Sequence, residues 1–382
     1  MYKTVLPRAS KSNYPANELI DFTLYSQDMM YVANSLRLSG RVSYNSAGAR
    51  LAIGPETTYA YDGICGVHTT IEQLSVETTN AGMIETINDY NRTYKAIHMG
   101  TTSRKNCLGG LRDGLALAPA ARMTLPIMRG GSASSFSVPF SIIPMCCLTA
   151  MEGNLSFNNT GQIIVSLRLA SVLSVLYGSG VDADTEFALS DLQMDYMVTP
   201  DLSSGLNGKD SSLKPTCEMR VLGSVKQIFD SSTLSFSMNF PQKACNSVIA
   251  TFVPITAMQS GISNQFACVQ PSLYNLEFSL SDSSLGLISY RLDSLEDMYR
   301  NYLLAAQSPL NTISTPATGH CFSTLTNFPL MVDSTDCFGI GINFGTQYVD
   351  LTQTRFGLTV SSDVINGNPH YCYVVIIGLQ TM

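Results

Sequence analysis

Apolar and polar side chains alternate at every second position along several stretches of this sequence. Residues 234–240 read LSFSMNF, residues 191–198 read DLQMDYMV and residues 36–42 read LRLSGRV. Side chains of a β-strand point alternately to the two faces of a sheet, so each run predicts a strand with one buried and one polar face. Residues 163–165 and 371–379 are apolar almost throughout and fit buried strands of a β-sandwich. The sequence therefore predicts an all-β protein of many strands, separated by clusters of Gly, Pro, Asn and Ser.

Two segments follow a helical period instead. Residues 83–98 read MIETINDYNRTYKAIH, and residues 293–307 read DSLEDMYRNYLLAAQ. In both, apolar side chains recur at spacings of three or four, as one face of a helix requires. Asp293 stands where it would cap the second helix. We therefore predict a few short helices among the strands.

Short blocks of sequence recur in the same order in the two halves of the chain. Asp89-x-x-x-x-Tyr94 matches Asp297-x-x-x-x-Tyr302, which lies 208 positions later. The other blocks are residues 71–76 with 273–278, 202 positions later, and residues 35–39 with 233–237, 198 positions later. Slowly growing offsets are expected when one fold is duplicated and its loops differ in length.

The polar stretch 201–216 separates the two halves and predicts a linker. We accordingly divide the chain into an N-terminal arm at residues 1–16, a first domain at 17–200, the linker, and a second domain at 217–382. Each domain of about 190 residues has room for about eight strands and one helix. The predicted fold is two tandem jelly-roll β-sandwiches, a double jelly roll.

This layout resembles the double jelly-roll major capsid proteins of the tectivirus and adenovirus lineage, which includes polinton-like viruses. The second half carries the most of it: CEMRVLGSVKQIFDSSTLSFSMNF, then SVIATFVPI, LYNLEFSL, the Tyr-rich helix, and the final strand YCYVVIIGLQTM. The resemblance implies a virion structural protein that forms homotrimeric, pseudo-hexagonal capsomers of an icosahedral shell. It also implies a DNA virus, penton and minor capsid proteins as partners, and commonly an internal membrane.

The charge content supports a surface that is covered in an assembly. Only 13% of the residues are charged, about half the usual ~25%. The net charge is −7, which argues against a protein that coats nucleic acid, so we expect no sequence-specific nucleic-acid partner. Residues 1–17 have no apolar core of a signal peptide, and we expect synthesis in the host cytoplasm.

The sequence offers no convincing chemical site, so we predict no enzyme, no cofactor and no metal. Cys65-x-x-His68 has the spacing of metal ligands but lacks a second pair nearby. Asp182-x-Asp184-x-Glu186 resembles a calcium loop without its Gly and final Glu, so a solvated loop is favoured over a weak cation site between subunits. The glycines at 339, 341 and 345 have the wrong spacing for a dinucleotide fingerprint and fit a strand that another backbone approaches closely.

The ten Cys form no C-x-x-C pair, and several lie in apolar strand-like runs. We predict reduced, buried thiols rather than a disulfide framework.

Basic residues concentrate in two places. Lys3, Arg8 and Lys11 lie on the N-terminal arm, where they could face a membrane or the genome. A second stretch holds a single acid, Asp113, and could meet acidic loops of another subunit, or it could be an ordinary solvated face. Its basic residues are Arg92, Lys95, Arg104, Lys105, Arg112, Arg122 and Arg129.

Two other classes of function stay open from the sequence alone. A two-domain β-sandwich adhesin or lectin would share the composition and the strand pattern. A β-sandwich hydrolase is disfavoured, because no nucleophile with a base and no pair of acids stands out, although paired carboxylates need not be close in sequence.

Overall fold

The structure is a computed structural model of the chain. It describes residues 1–46, 49–50, 62, 65–101, 137–171, 175–178, 181, 183–201, 217–229, 233–234, 244–259, 261, 263–269, 275–282, 286–292, 295–307, 338–344, 355–361 and 369–381. Within these residues, no helix is both long enough and apolar enough to cross a membrane.

Strands dominate the first half of the chain. They are β1 (Tyr2–Val5), β2 (Tyr14–Pro15), β3 (Leu19–Leu24), β4 (Met29–Tyr31), β5 (Arg37–Ser46), β6 (Ala49–Arg50), β7 (Ile71–Thr78), β8 (Gly82–Ile87), β9 (Ser137–Ile142), β10 (Met151–Glu152), β11 (Leu155–Ser156), β12 (Ile163–Leu169) and β13 (Thr185–Pro200). The helices are α1 (Tyr90–Thr101) and α2 (Phe157–Thr160), with 3-10 turns at Gly66–Thr70 and Cys147–Thr149.

The second half has the same character. Its strands are β14 (Glu218–Phe229), β15 (Thr233–Leu234), β16 (Cys245–Pro254), β17 (Asn275–Asp282), β18 (Gly286–Leu292), β19 (Gly339–Asn343), β20 (Arg355–Ser361) and β21 (His370–Thr381). Its helices are α3 (Ile255–Met258) and α4 (Leu295–Gln307).

Each half forms two antiparallel sheets with the same strand order. In the first half, β1 and β2 pair with β13, β13 with β5, and β5 with β9, while the second sheet runs β3-β12-β7-β8. In the second half, the sheets run β14-β21-β16-β19 and β15-β20-β17-β18. The first strand thus pairs with the last in both halves, as in a jelly roll. The predicted double jelly-roll fold is confirmed.

The alternation of side chains explains how the strands form a core. In β13, Leu192, Met194, Tyr196 and Val198 are buried, and the residues between them are at least partly exposed. By contrast, Val374 to Ile377 of β21 are all buried. Three side chains of β21, those of Tyr373, Val375 and Ile377, lie in the same apolar core as residues of the first half.

The internal repeat is confirmed for two of its three blocks. Counted in chain order, the eight strands that match between the jelly rolls are β1, β3, β5, β7, β8, β9, β12 and β13 in the first half and β14 to β21 in the second. Leu74 lies on β7 and Leu276 on β17, the fourth strands in this count. The helices that carry Tyr94 and Tyr302 both lie between the fifth and sixth strands. The third block is wrong, because Leu36 precedes the third strand, β5, whereas Leu234 lies on the second, β15. Any two amphipathic strands share such an alternation, so a short match of this kind carries little information.

The predicted helix at residues 83–98 is wrong at its beginning. Residues 83–87 belong to β8, which forms a hairpin with β7, and α1 begins only at Tyr90. The second helix ends at Gln307 as predicted, and Asp293 lies outside the described residues.

Two short segments of the first sixteen residues pair with a strand of the first sandwich. Tyr2–Val5 pairs with residues 194–197 of β13, and Tyr14–Pro15 pairs with residues 188–189. Residues 202–216 lie outside the described residues. The boundaries of arm, domains and linker remain a prediction.

Glycines allow a helix to approach a strand of the second sandwich closely, as predicted for residues 339 and 341. A Cβ atom on Gly341 would lie 2.6 Å from the Cβ of Ala305 on α4. At Gly339 it would lie 2.7 Å from Met99 Cε on α1 and 2.9 Å from the Tyr302 ring. Helices of both sandwiches therefore meet at β19.

Candidate functional site: the junction between the two sandwiches

The two sandwiches share an extensive junction. Helix α1 of the first sandwich contacts α4, β16 and β21 of the second. Strand β8 and the turn Cys147–Thr149 contact β14, and β10 pairs with β14. Tyr373, Val375 and Ile377 belong to one continuous apolar core with residues of the first sandwich. The junction therefore resembles a domain interior more than a contact between mobile domains.

Arg92 of α1 inserts a charged group into this junction. Its side chain is buried, and its Nη1 donates a hydrogen bond to the carbonyl oxygen of Gln265. The guanidinium carbon lies 4.4 Å from the centroid of the Phe266 ring and 5.2 Å from that of Tyr373. All three partners belong to the second half, and the planar guanidinium suits such stacking on aromatic faces. Arg92 thus fixes α1 against the second sandwich.

A buried ion pair of the first half lies nearby and accepts a hydrogen bond from a residue of the second half. Lys95 Nζ lies 2.5 Å from Asp62 Oδ2, and both side chains are 1% exposed. Asn264 of the second half donates a hydrogen bond of 3.0 Å to the same carboxylate oxygen. Burial alone would raise the pKa of Asp62, but Lys95 and the hydrogen bonds from Asn264 and the Cys65 N–H hold it below its usual value. The carboxylate is therefore charged at neutral pH and fully paired.

Glu85 of β8 is a second buried carboxyl group at the junction. Its Oε2 accepts a hydrogen bond of 2.6 Å from the Cys147 N–H, and its Oε1 accepts one of 2.6 Å from the Leu222 N–H on β14. The side chain thus joins the first strand of the second sandwich to the first sandwich. Burial raises its pKa to about 7, although the two backbone hydrogen bonds act in the opposite direction.

Aromatic side chains of the first sandwich stack along α1. Tyr94 lies between His68 and His98, with ring centroids 3.7 Å and 3.9 Å away. His68 Nδ1 lies 2.9 Å from the Tyr90 hydroxyl. Burial lowers the pKa of His68 well below its usual range, so this ring is neutral at physiological pH.

The predicted basic residues fall into three groups. Arg92 and Lys95 are buried, so neither of the two alternatives for this stretch, a contact with another subunit or a solvated face, holds for them. They lie inside the chain, because their partners belong to it. Five others lie outside the described residues, namely Arg104, Lys105, Arg112, Arg122 and Arg129.

Lys3, Arg8 and Lys11 lie along the first sandwich. Lys3 is opposite Tyr196 in the pairing of β1 with β13. The Arg8 N–H donates to the Asp21 carbonyl, and Lys11 forms an ion pair with Glu18. Contact of these residues with a membrane or the genome remains a prediction.

The candidate metal residues have other roles in the structure. Cys65 Sγ contacts the Asn91 carbonyl oxygen, and His68 contacts Tyr90. Asp182 lies outside the described residues. Among the described residues, no three His, Cys, Asp or Glu side chains are grouped in a way that could hold a metal ion.

The sequence analysis missed Glu85, Asp62 and Asn264, because their partners are far away along the chain. Asp62 and Asn264 are 202 positions apart, and Glu85 and Leu222 are 137 apart. The sequence carries one further signal at this junction, because Arg92 and Arg300 occupy the same place in an Asp-x-x-Arg-x-Tyr motif shared by the two helices.

Neither a protein-family model nor a curated protein matches this sequence. Solved structures match the whole chain. The Faustovirus major capsid protein has a TM-score of 0.58 at 9% identity and covers 100% of this chain and 90% of its own. The PBCV-1 virus capsid has a TM-score of 0.58 at 10% identity, and the match covers 100% of this chain and 94% of that chain. The mavirus major capsid protein has a TM-score of 0.50 at 12% identity, and the match covers 99% of this chain and 86% of that chain. The chain therefore has the double jelly-roll fold of these capsid proteins.

Proposed function

We propose that this chain is a major capsid protein, which forms homotrimers that tile an icosahedral shell. The carrying observation is that two jelly rolls of identical strand order are joined by a buried junction. Three such chains in a ring would present six similar sandwiches, a block that can pack against six neighbours. Capsid proteins with this fold provide independent support for the proposal.

The chemistry of the junction supports a rigid building block. Arg92, Glu85 and the Asp62–Lys95 pair each combine groups from both halves or bond across them. Breaking such contacts would leave charged groups buried without partners, which is costly. The angle between the two sandwiches is therefore held tightly, as tiling requires. The low charge fraction of 13% fits sides that become buried in a shell.

The proposal assigns no catalytic step to the chain. The described Cys residues are buried, and burial raises the pKa of Cys146 and Cys245 to about 12, which disfavours a reactive thiolate.

The partners of this chain are further copies of itself, and penton and minor capsid proteins at the vertices and between capsomers. An internal membrane is a further candidate partner, and the protein resides in the virion.

Light scattering after size exclusion tests the trimer. We expect a mass of about three times 41.4 kDa at low micromolar concentration. Negative-stain microscopy of the same fraction should reveal hexagonal particles or sheets. A monomer that binds glycans would contradict the proposal and favour an adhesin.

A further inference from the structure

The two equivalent helices differ in how far they are covered. Asp89-x-x-Arg92-x-Tyr94 at α1 corresponds to Asp297-x-x-Arg300-x-Tyr302 in α4. Apart from partly exposed His98, residues 90–99 of α1 are buried, because the second sandwich covers this helix. In α4, Asp297, Arg300 and Leu304 are exposed, and Leu304 is 48% exposed. Their spacing of three and four places them on one helix face.

This exposed face of α4 corresponds to the face of α1 that contacts the second sandwich. Tyr302 packs on its own sandwich near Gly339, and Tyr94 stacks on His68 of its own sandwich. With these two tyrosines aligned, Arg300 matches Arg92, and Leu304 matches Ala96. The Arg92 side chain and the Ala96 backbone carbonyl both contact the second half. Helix α4 therefore exposes on the surface of the chain the face that corresponds to the one by which α1 meets the second sandwich.

The sheet that α1 covers also has an uncovered equivalent. Tyr373 lies opposite Thr251, which in turn pairs with Gly339, the first residue of the sixth strand. In the first sandwich, the sixth strand begins at Ser137, which pairs with Ser43, and Ser43 lies opposite Ala188. The strand pairing thus makes Ala188 the counterpart of Tyr373, the residue on which Arg92 stacks.

The two counterparts differ in exposure and in charge. Tyr373 is 1% exposed beneath Arg92, whereas Ala188 and Ser43 are partly exposed and Glu186 is exposed. Glu186 lies two residues from Ala188 on the same face of β13. An acidic side chain thus stands beside the position where an arginine would arrive.

We propose that the exposed face of α4 in one copy packs on the outer face of the β13–β5 pair of a second copy, with Arg300 beside Glu186. The inference rests on the proposed homotrimer and assigns its interface. Within the chain, α1 of the first sandwich packs on the second sandwich; between chains, α4 of the second sandwich would pack on the first sandwich of the next copy. The contact therefore joins two different surfaces, head to tail, and contacts of this kind close into a ring when the rotation between copies allows it. Guanidinium and carboxylate are a favourable pair for an interface.

Charge reversal tests this assignment. Arg300→Glu places like charges together and should raise the concentration at half-dissociation of the trimer roughly 100-fold. Glu186→Arg should do the same. The double variant Arg300→Glu with Glu186→Arg should recover the trimer. Arg168→Glu is the matched control, because Arg168 is exposed on the opposite sheet, on β12, and this variant should remain trimeric.

Light scattering gives the oligomeric state of each variant, and circular dichroism verifies that each is folded. A wild-type protein that is monomeric would contradict the proposed function itself. A trimeric wild type with an equally stable Arg300→Glu trimer would overturn only this interface. Single variants that dissociate, with a double variant that does not recover, would overturn the pairing of α4 with β13.

Discussion

The hydroxyl group of Tyr302 donates a hydrogen bond of 2.6 Å to the backbone carbonyl of Ala96, and so joins the helix of one sandwich to that of the other. Tyr302 is fully buried, and its ring also lies where a Cβ on Gly339 would be. One side chain thus packs on its own sandwich and bonds to the other. The stability of each half should therefore depend on the presence of the other half.

Substitution of Tyr302 separates these two contributions. Tyr302→Phe keeps the ring and removes the bond to Ala96, which should lower the free energy of unfolding by about 1–2 kcal/mol. Tyr302→Ala also removes the ring and should cost about 3 kcal/mol or more. Urea unfolding measures both values. Tyr2→Phe, at a position that is 77% exposed, is the control and should change stability by less than about 0.5 kcal/mol. A Phe variant as stable as wild type would contradict the role of the hydroxyl, and equal costs for Phe and Ala would contradict the role of the ring.

Glu85 should make the stability of the chain depend on pH. Burial raises its pKa from 4.5 to about 7, so the folded state binds this proton more tightly than the unfolded state. The stabilisation of the folded state by this proton is therefore fully present below pH 4.5 and is lost as the pH rises through about 7. The shift corresponds to roughly 3 kcal/mol.

Comparison with Glu85→Gln isolates this effect. The amide does not titrate, so the stability of wild type relative to the variant should fall between about pH 5 and about pH 8. Urea unfolding at several pH values provides the measurement. Glu77→Gln, at an exposed position on β7, is the matched control. Parallel curves for wild type and Glu85→Gln would mean that Glu85 has no raised pKa.

The strands could be predicted because their signal is local. The alternation in residues 191–198 determines which side chains of β13 are buried, with no information from the rest of the chain. The junction could not be predicted, because charged residues are usually exposed and nothing near Arg92 or Lys95 signals a partner. Gln265, the partner of Arg92, lies in the other half, and so does Asn264, which bonds to the Asp62 partner of Lys95. The wrong pairing of Leu36 with Leu234 has the opposite cause, because a local pattern was taken as evidence of equivalence.

The cysteines should be reduced and protected in the folded protein. All seven described residues are buried free thiols, namely Cys65, Cys146, Cys147, Cys217, Cys245, Cys268 and Cys372. Burial raises the pKa of Cys217 to about 11, and those of Cys146 and Cys245 to about 12, so few thiolates form at neutral pH. These seven should not react with a thiol reagent in the folded protein. Denatured, non-reduced protein should release nearly ten thiols per chain, and six or fewer would indicate disulfides.

The free energy of unfolding should fall steeply when one partner of the Asp62–Lys95 ion pair is removed, and less when both charges are removed together. Lys95→Met leaves a buried carboxylate with Asn264 and a backbone N–H as its remaining partners, which should cost about 3–5 kcal/mol. Asp62→Asn with Lys95→Met removes both charges and keeps a side-chain oxygen for one of the two donors. Part of the loss should therefore be recovered, which appears as a coupling energy of at least about 1 kcal/mol in a double-mutant cycle. The equivalent cycle on Lys11 and Glu18, where Lys11 is 53% exposed, should give less than about 1 kcal/mol. Strict additivity for Asp62 and Lys95 would show that the two charges do not stabilise each other.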